Sequence, residues 1–260
     1  MSNNPKFETM TDWCSHTWKT LPEQLARVNG CAILPVGAVE QHGPHLGLGT
    51  DFGIADRLCK AASEKTGVPM LPTLPYGCSL GHSKKWPGTI AIPPKVLINF
   101  IYHIGEWAYA SGVRRLFIVN AHVTNFAPLR CAFEMLRSEF SDLMVALINS
   151  AEISARVREA FFRDAADWHA NCAETAILMA HQPDWVDAER IAEADDPDRT
   201  EKCVFAHPVN HTSANGVTGT PSLATEEEGR QLMEWMIEDL TELILTGMQE
   251  TIPYQENAKT

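Results

Sequence analysis

Glu40, His42, His45 and Asp51 fall within twelve residues of the stretch LPVGAVEQHGPHLGLGTD, Leu34 to Asp51. Carboxylates and imidazoles at this density suit Zn, Mn or Fe(II) better than the all-oxygen sites of Mg or Ca. Two more segments carry the same residue types. RRLFIVNAH ends on His122, and DWHANCAET supplies His169 and Glu174. Such groups, with an aspartate able to bridge, would hold two divalent ions ~3.5–4 Å apart around a hydroxide. Metal coordination brings the pKa of a water towards ~7, and a second ion polarises the carbonyl under attack. The leaving nitrogen then needs a proton, which an unligated imidazole can deliver; His169 is the candidate.

Simpler readings exist for each residue alone. Asp51 before FGIADRL fits a helix cap, and a histidine at a strand end can be a hydrogen-bonded structural residue. Gly43, Gly47 and Gly49 fit a tight loop, but not a nucleotide site: G-x-G-x-x-G is absent and HLGLGT lacks the P-loop lysine. Histidines at two separate strand ends, two carboxylates and a third polar segment together favour a site. His45 and His82 are expected to line its pocket, and Trp86 and Trp168 to stack on a planar substrate. Cys78 and Cys172 lie near these segments, but neither is paired with a base at the spacing of a thiol nucleophile.

Positioning these residues falls to alternating strands and helices. Apolar runs at 31–37, 114–122 and 143–150 read as buried strands, and 68–77 as a short proline-rich strand. Helical spacing covers 21–29, 52–67, 93–112, 126–139, 173–181 and 223–250, the last with an acidic start that suits the helix dipole. The acidic segment 186–202 is expected to be loop. This alternation predicts a three-layer α/β/α fold with a mostly parallel central sheet. Ligands then gather where the strands end.

The 260 residues fit one domain, with 1–20 as an N-terminal arm and 251–260 as a loose tail. A formal charge of −12, with no basic run, argues against a nucleic-acid partner. No apolar run approaches the ~18 residues of a membrane span, and the polar MSNNPKFETMTDW shows no signal peptide. Seven scattered cysteines without a C-x-x-C pair fit reduced thiols and a cytoplasmic protein.

EQHGPHLGLGTD resembles the E-x-H-G-x-H-L-P-x-x-T-D signature of the creatininase family. HSKKWPGTI (82–90), VNAHVTN (119–125), HANCAET (169–175) and GVTGTPSLATEEEG (216–229) are similar to four further family segments, in the same order. The resemblance implies an α/β/α fold, a small-molecule substrate, a pair of Zn, Mn or Fe ions and a homo-oligomer, commonly a hexamer. It implies hydrolysis of a non-peptide C–N bond, such as that of a cyclic amide. Relatives that cleave a formamide, a precursor peptide or a C–C bond in a keto-inositol ring leave other substrates open, as does a binding protein without turnover.

Carried over by position, Glu40, His42, Asp51 and His122 match metal ligands, with Asp51 as the bridge, and His169 matches the proton donor. Thr124 stands where creatininase has a ligating glutamate, which makes Glu174 the fifth ligand and part of the catalytic set. Ala121, Gly47 and Trp86 also depart from the family pattern, and the residues around Trp168 do not reproduce its aromatic clamp for creatinine.

Overall fold

The computed structural model describes residues 11–252, so 1–10 of the expected arm and 253–260 of the expected tail lie outside the described residues. Three parallel strands, β1 (Cys31–Val36), β2 (Arg115–Asn120) and β3 (Met144–Asn149), pair in the order β1-β2-β3. The helices are α1 (Thr20–Arg27), α2 (Thr50–Thr66), α3 (Pro94–Ala110), α4 (Phe126–Glu139), α5 (Ala155–Phe161), α6 (Cys172–His181), the single turn α7 (Val209–Thr212) and α8 (Glu226–Gln249).

Alternation along the strands divides the core into two layers. Ile33, Phe117 and Val119 pack with apolar residues of α2, α5, α6 and α8. Leu34, Val36, Leu116 and Ile118 point the other way, against α1, α3 and α4. Because both faces are covered, the strands read as continuous apolar runs rather than alternating ones. The fold is the expected α/β arrangement, with helices on both sides of a parallel sheet.

Three local expectations change. The 68–77 segment forms no regular strand. It runs beside β1 through parallel bridges at Met70 and Leu74 only, because Pro69, Pro72 and Pro75 withhold backbone donors. The 186–202 segment is not all loop: Ala188–Glu193 is a 3₁₀ helix. Helix α5 was not anticipated; its seven residues are too few to display a clear helical period, and Ser154 caps it by accepting from the Val157 N–H.

Candidate metal centre

The charged residues gather where β1 and β2 end. Glu40, Gln41 and His42 lie on the loop from β1 to α2, and His122 follows β2. Asn120 holds His122 at both ends of its peptide: Oδ1 accepts from the His122 N–H at 3.2 Å, and Nδ2 donates to its carbonyl at 2.8 Å. Asp51 sits in the first turn of α2. Glu174 sits in the first turn of α6, where Asn171 Oδ1 accepts from the Glu174 N–H at 3.2 Å. Both carboxylates therefore stand at the positive end of a helix dipole.

The GVTG segment fixes His169 through paired backbone hydrogen bonds. His169 N–H donates to the Thr218 carbonyl at 3.0 Å, and Thr218 N–H donates back at 2.8 Å. Ala170 follows with φ +49°, a left-handed conformation that turns the chain between His169 and the Asn171 cap. Gly43 at φ +66° lets the 40–49 loop meet this segment, since a Cβ there would lie 2.3 Å from Val217 Cγ2.

Three carboxylates, Glu40, Asp51 and Glu174, and four imidazoles, of His42, His82, His122 and His169, are all buried together. The two oxygens of Asp51 face different histidines: Oδ1 lies 3.2 Å from His42 Nε2, and Oδ2 lies 3.1 Å from His122 Nδ1. Glu174 Oε1 lies 3.7 Å from His42 Nε2, and Glu40 Oε2 lies 2.9 Å from His122 Nε2. Glu40 Oε1 is in close contact with His82 Nδ1 and 3.6 Å from His169 Nε2.

Hydrogen bonding leaves several of these atoms unsatisfied. Both Glu40 oxygens, Asp51 Oδ2, Glu174 Oε2 and His42 Nε2 are buried without a hydrogen-bond partner. His42 Nδ1 lies 3.1 Å from the Glu40 carbonyl, which can only accept, so Nδ1 carries a hydrogen and Nε2 is the atom turned to Asp51 and Glu174. Ligands at roughly 2.0–2.2 Å from one ion, at near-tetrahedral angles, are about 3.4 Å apart, a value within the 2.9–3.7 Å range of most contacts here. Glu40, Asp51 and His122 form one group able to hold an ion, His42, His169 and Glu174 a second, and Glu40, His82 and His169 a third that shares residues with both. The donor set fits divalent cations.

The potential agrees with that fit. Burial opposes charge on His42, but Asp51 and Glu174 outweigh it and raise its pKa well above the ordinary imidazole value. His122 is raised in the same way, against burial, by Glu40 and Asp51. Burial likewise opposes ionisation of Asp51, yet His42 and His122 bring its pKa down to about 2. Glu40 is held well below the carboxylate range by His122 and His82 despite its burial. His169 differs: burial, then His82 and His42, keep its pKa well below normal, so it is neutral.

Comparison with known proteins gives the chain its family. The family model for creatininase (creatinine amidohydrolase) matches residues 15–244. The chain belongs to the creatininase family. It is 26% identical to a creatinine amidohydrolase of Pseudomonas putida over 88% of this chain and 94% of that one. It is 31% identical to a mycofactocin precursor peptide peptidase of Mycobacterium ulcerans over 80% and 81%. A crystal structure of creatininase matches with a TM-score of 0.80 at 25% identity, covering 93% of this chain and 99% of that chain. Other solved creatininases include zinc and manganese forms.

Within this family frame, the remaining sequence candidates separate. His82 joins the buried cluster. His45 is buried behind it: Nε2 is 2.8 Å from Thr175 Oγ1, next to Glu174, and burial followed by His42 lowers its pKa to about 4. Trp168 packs on Phe161 and lines a cavity of about 480 Å³ that His122, Phe126 and Phe162 also line. Trp86 is not on that wall; it is half-buried on a turn, with Lys85 Nζ 4.6 Å over its ring.

Sequence reasoning missed Gln41 and Asp164. Gln41 Nε2 reaches His82 Nδ1, His169 Nε2 and the Gly216 carbonyl, each at 3.1 Å. A Cβ at Gly216, which has φ +89°, would lie 2.0 Å from Gln41 Oε1. Asp164 accepts from Asn171 Nδ2, Cys172 N–H and Thr220 N–H, tying the start of α6 to the GVTG segment. Gln41 did carry a signal, its place between Glu40 and His42; Asp164 carried none.

Proposed function

We propose that this creatininase-family hydrolase is a dinuclear metal enzyme that cleaves a non-peptide C–N bond in a small cyclic amide. The observation that carries this reading is the buried set of carboxylate and imidazole acceptors that lack hydrogen-bond partners around Asp51. Glu40, Asp51 and His122 would hold one ion, and His42, Asp51 and Glu174 the other, from among Zn, Mn and Fe. When bound, the ions supply Lewis acidity and an acidified water.

The other residues orient and transfer. His169 Nε2 lies 2.9 Å from the Gln41 carbonyl, which fixes the ring proton on Nε2. A neutral imidazole holding a proton there is suited to protonating the departing nitrogen. His82, Gln41 and Gly216 hold His169 in place. The cavity bounded by His122, Trp168, Phe126 and Phe162 receives a small, partly planar substrate against an aromatic wall. His45 supports Glu174 through Thr175, and Trp86 serves a substrate only at the outer approach. A cytoplasmic homo-oligomer, hexameric as the family resemblance implies, is part of the same proposal.

A second reading is favoured by the 31% identity to a precursor-peptide peptidase: the same groups would hydrolyse a peptide C–N bond. A panel of cyclic amides, formamides, cyclic ketones and short peptides, assayed before and after chelation, separates the readings. Chelator-reversible opening of a cyclic amide is the expected result. Metal-dependent cleavage of peptides alone would transfer the assignment to the second reading. Turnover unaffected by complete metal removal would overturn both.

A further inference from the structure

Thr124 occupies the edge of the metal cluster without being able to replace a carboxylate. Its Oγ1 donates to the Cys78 carbonyl and lies 2.6 Å from His122 Nε2. A carbonyl has no proton to give, so the Thr124 hydroxyl hydrogen is committed to Cys78. The face that Thr124 turns to His122 is therefore a lone pair, and the ring nitrogen opposite it must carry hydrogen. A second acceptor agrees: the same Cys78 carbonyl lies 3.3 Å from His122 Nε2, while the Ser79 hydroxyl at 3.1 Å can take either role.

Glu40 Oε2 lies 2.9 Å from Nε2, yet it accepts no hydrogen bond and so is off the N–H direction. On the other side of the ring, Nδ1 faces Asp51 Oδ2 at 3.1 Å, and that oxygen also lacks a hydrogen-bond partner. The Cys78 carbonyl is itself anchored, because the Cys78 N–H donates to Asn125 Oδ1 at 2.7 Å. The VNAHVTN segment thus supplies the imidazole, the hydroxyl that orients it and the amide that holds the hydroxyl's acceptor.

From this we infer that Thr124 is a positioning residue: it fixes the His122 tautomer with hydrogen on Nε2 and presents Nδ1 as the ligand atom. The inference rests on the metal-centre reading above. An outer hydrogen bond of this kind raises ligand basicity and removes the cost of reorienting the ring. In this chain, position 124 contributes through the histidine, while the carboxylate beside His42 comes from Glu174 on α6.

The test combines zinc affinity with the identity of the ligating atom. Wild-type protein, Thr124→Val and Thr124→Ser are stripped of metal, then titrated with Zn²⁺ against a competing chelator. Thr124→Val is expected to bind zinc about 10- to 100-fold more weakly, the range for loss of an outer-shell partner, while Thr124→Ser restores binding. A crystal structure of the zinc-loaded wild type, phased at the zinc edge, is expected to place an ion on His122 Nδ1. If Thr124→Val does not fold, Thr124→Ala removes the same hydroxyl and serves instead. Unchanged affinity without the hydroxyl, or an ion on Nε2, would overturn the role of Thr124 alone. A wild-type protein that binds no zinc would overturn the metal centre with it.

Discussion

Asp51 and Asp196 are two buried aspartates, 2% and 5% exposed, in opposite conditions. Every demand of Asp196 is met: Oδ1 accepts from Arg199 Nη2 at 2.6 Å, and Oδ2 accepts from Ser213 Oγ and the Ala214 N–H at 2.8 Å each. Asp51 instead faces imidazole nitrogens, and its Oδ2 has no hydrogen bond. Both carboxyl pKa values lie below normal in spite of burial, Asp196 through Arg199, Ala214 and Ser213, and Asp51 through His42 and His122. A carboxylate whose partners are all donors holds a loop together. One that faces imidazole nitrogens and keeps an oxygen without a hydrogen bond has acceptor capacity left for a cation.

The largest effect should come from breaking the unsatisfied side of this comparison. Asp51→Asn removes the charge shared by both ion positions and is expected to abolish metal loading at each. The lost Lewis-acid stabilisation of several kcal/mol corresponds to a fall in turnover on the order of 10³-fold or more. Elemental analysis and steady-state kinetics on one preparation check it. Next, His169→Gln is expected to reduce kcat by roughly 10²- to 10⁴-fold while metal content stays at the wild-type level. Loss of metal in that variant would make His169 a ligand instead.

Asp196→Ala tests the satisfied side. It leaves a guanidinium, a hydroxyl and an amide without their acceptor, at a cost of about 1–3 kcal/mol, read from the denaturant midpoint. Zinc affinity is expected to stay within about twofold, because none of those groups orients a ligand. The smallest effect is on acid stability. Asp196 has a lowered folded pKa, so its contribution is present above the unfolded value of 3.8 and is lost as pH falls from there through the folded value. The wild type should therefore lose more stability than Asp196→Ala across that acid window, and parallel curves would remove Asp196 from the account.

The same contrast explains what the sequence made legible. Glu40, His42, Asp51, His122, His169 and Glu174 stand in short polar runs at strand or helix ends, where type and position already suggest ligands. The buried strands were readable because both faces are covered, leaving uninterrupted apolar runs. Gln41 and Asp164 take their roles from partners 128 and 56 residues away, at His169 and Thr220, which no local pattern encodes. Trp86 shows the converse: an aromatic residue in a family segment does not by itself stand on the cavity wall. The 68–77 strand failed through its prolines, a local signal that hydrophobicity outweighed.

The most direct test of the central claim is the stoichiometry of Zn²⁺ or Mn²⁺ binding to metal-stripped wild-type protein, measured by titration calorimetry with elemental analysis of the loaded product. Two ions per chain are predicted, with protons released on binding as the cations displace them from His42 and His122. Saturation at a single ion, or no binding after reconstitution with Zn, Mn and Fe(II), would contradict the dinuclear centre around Asp51.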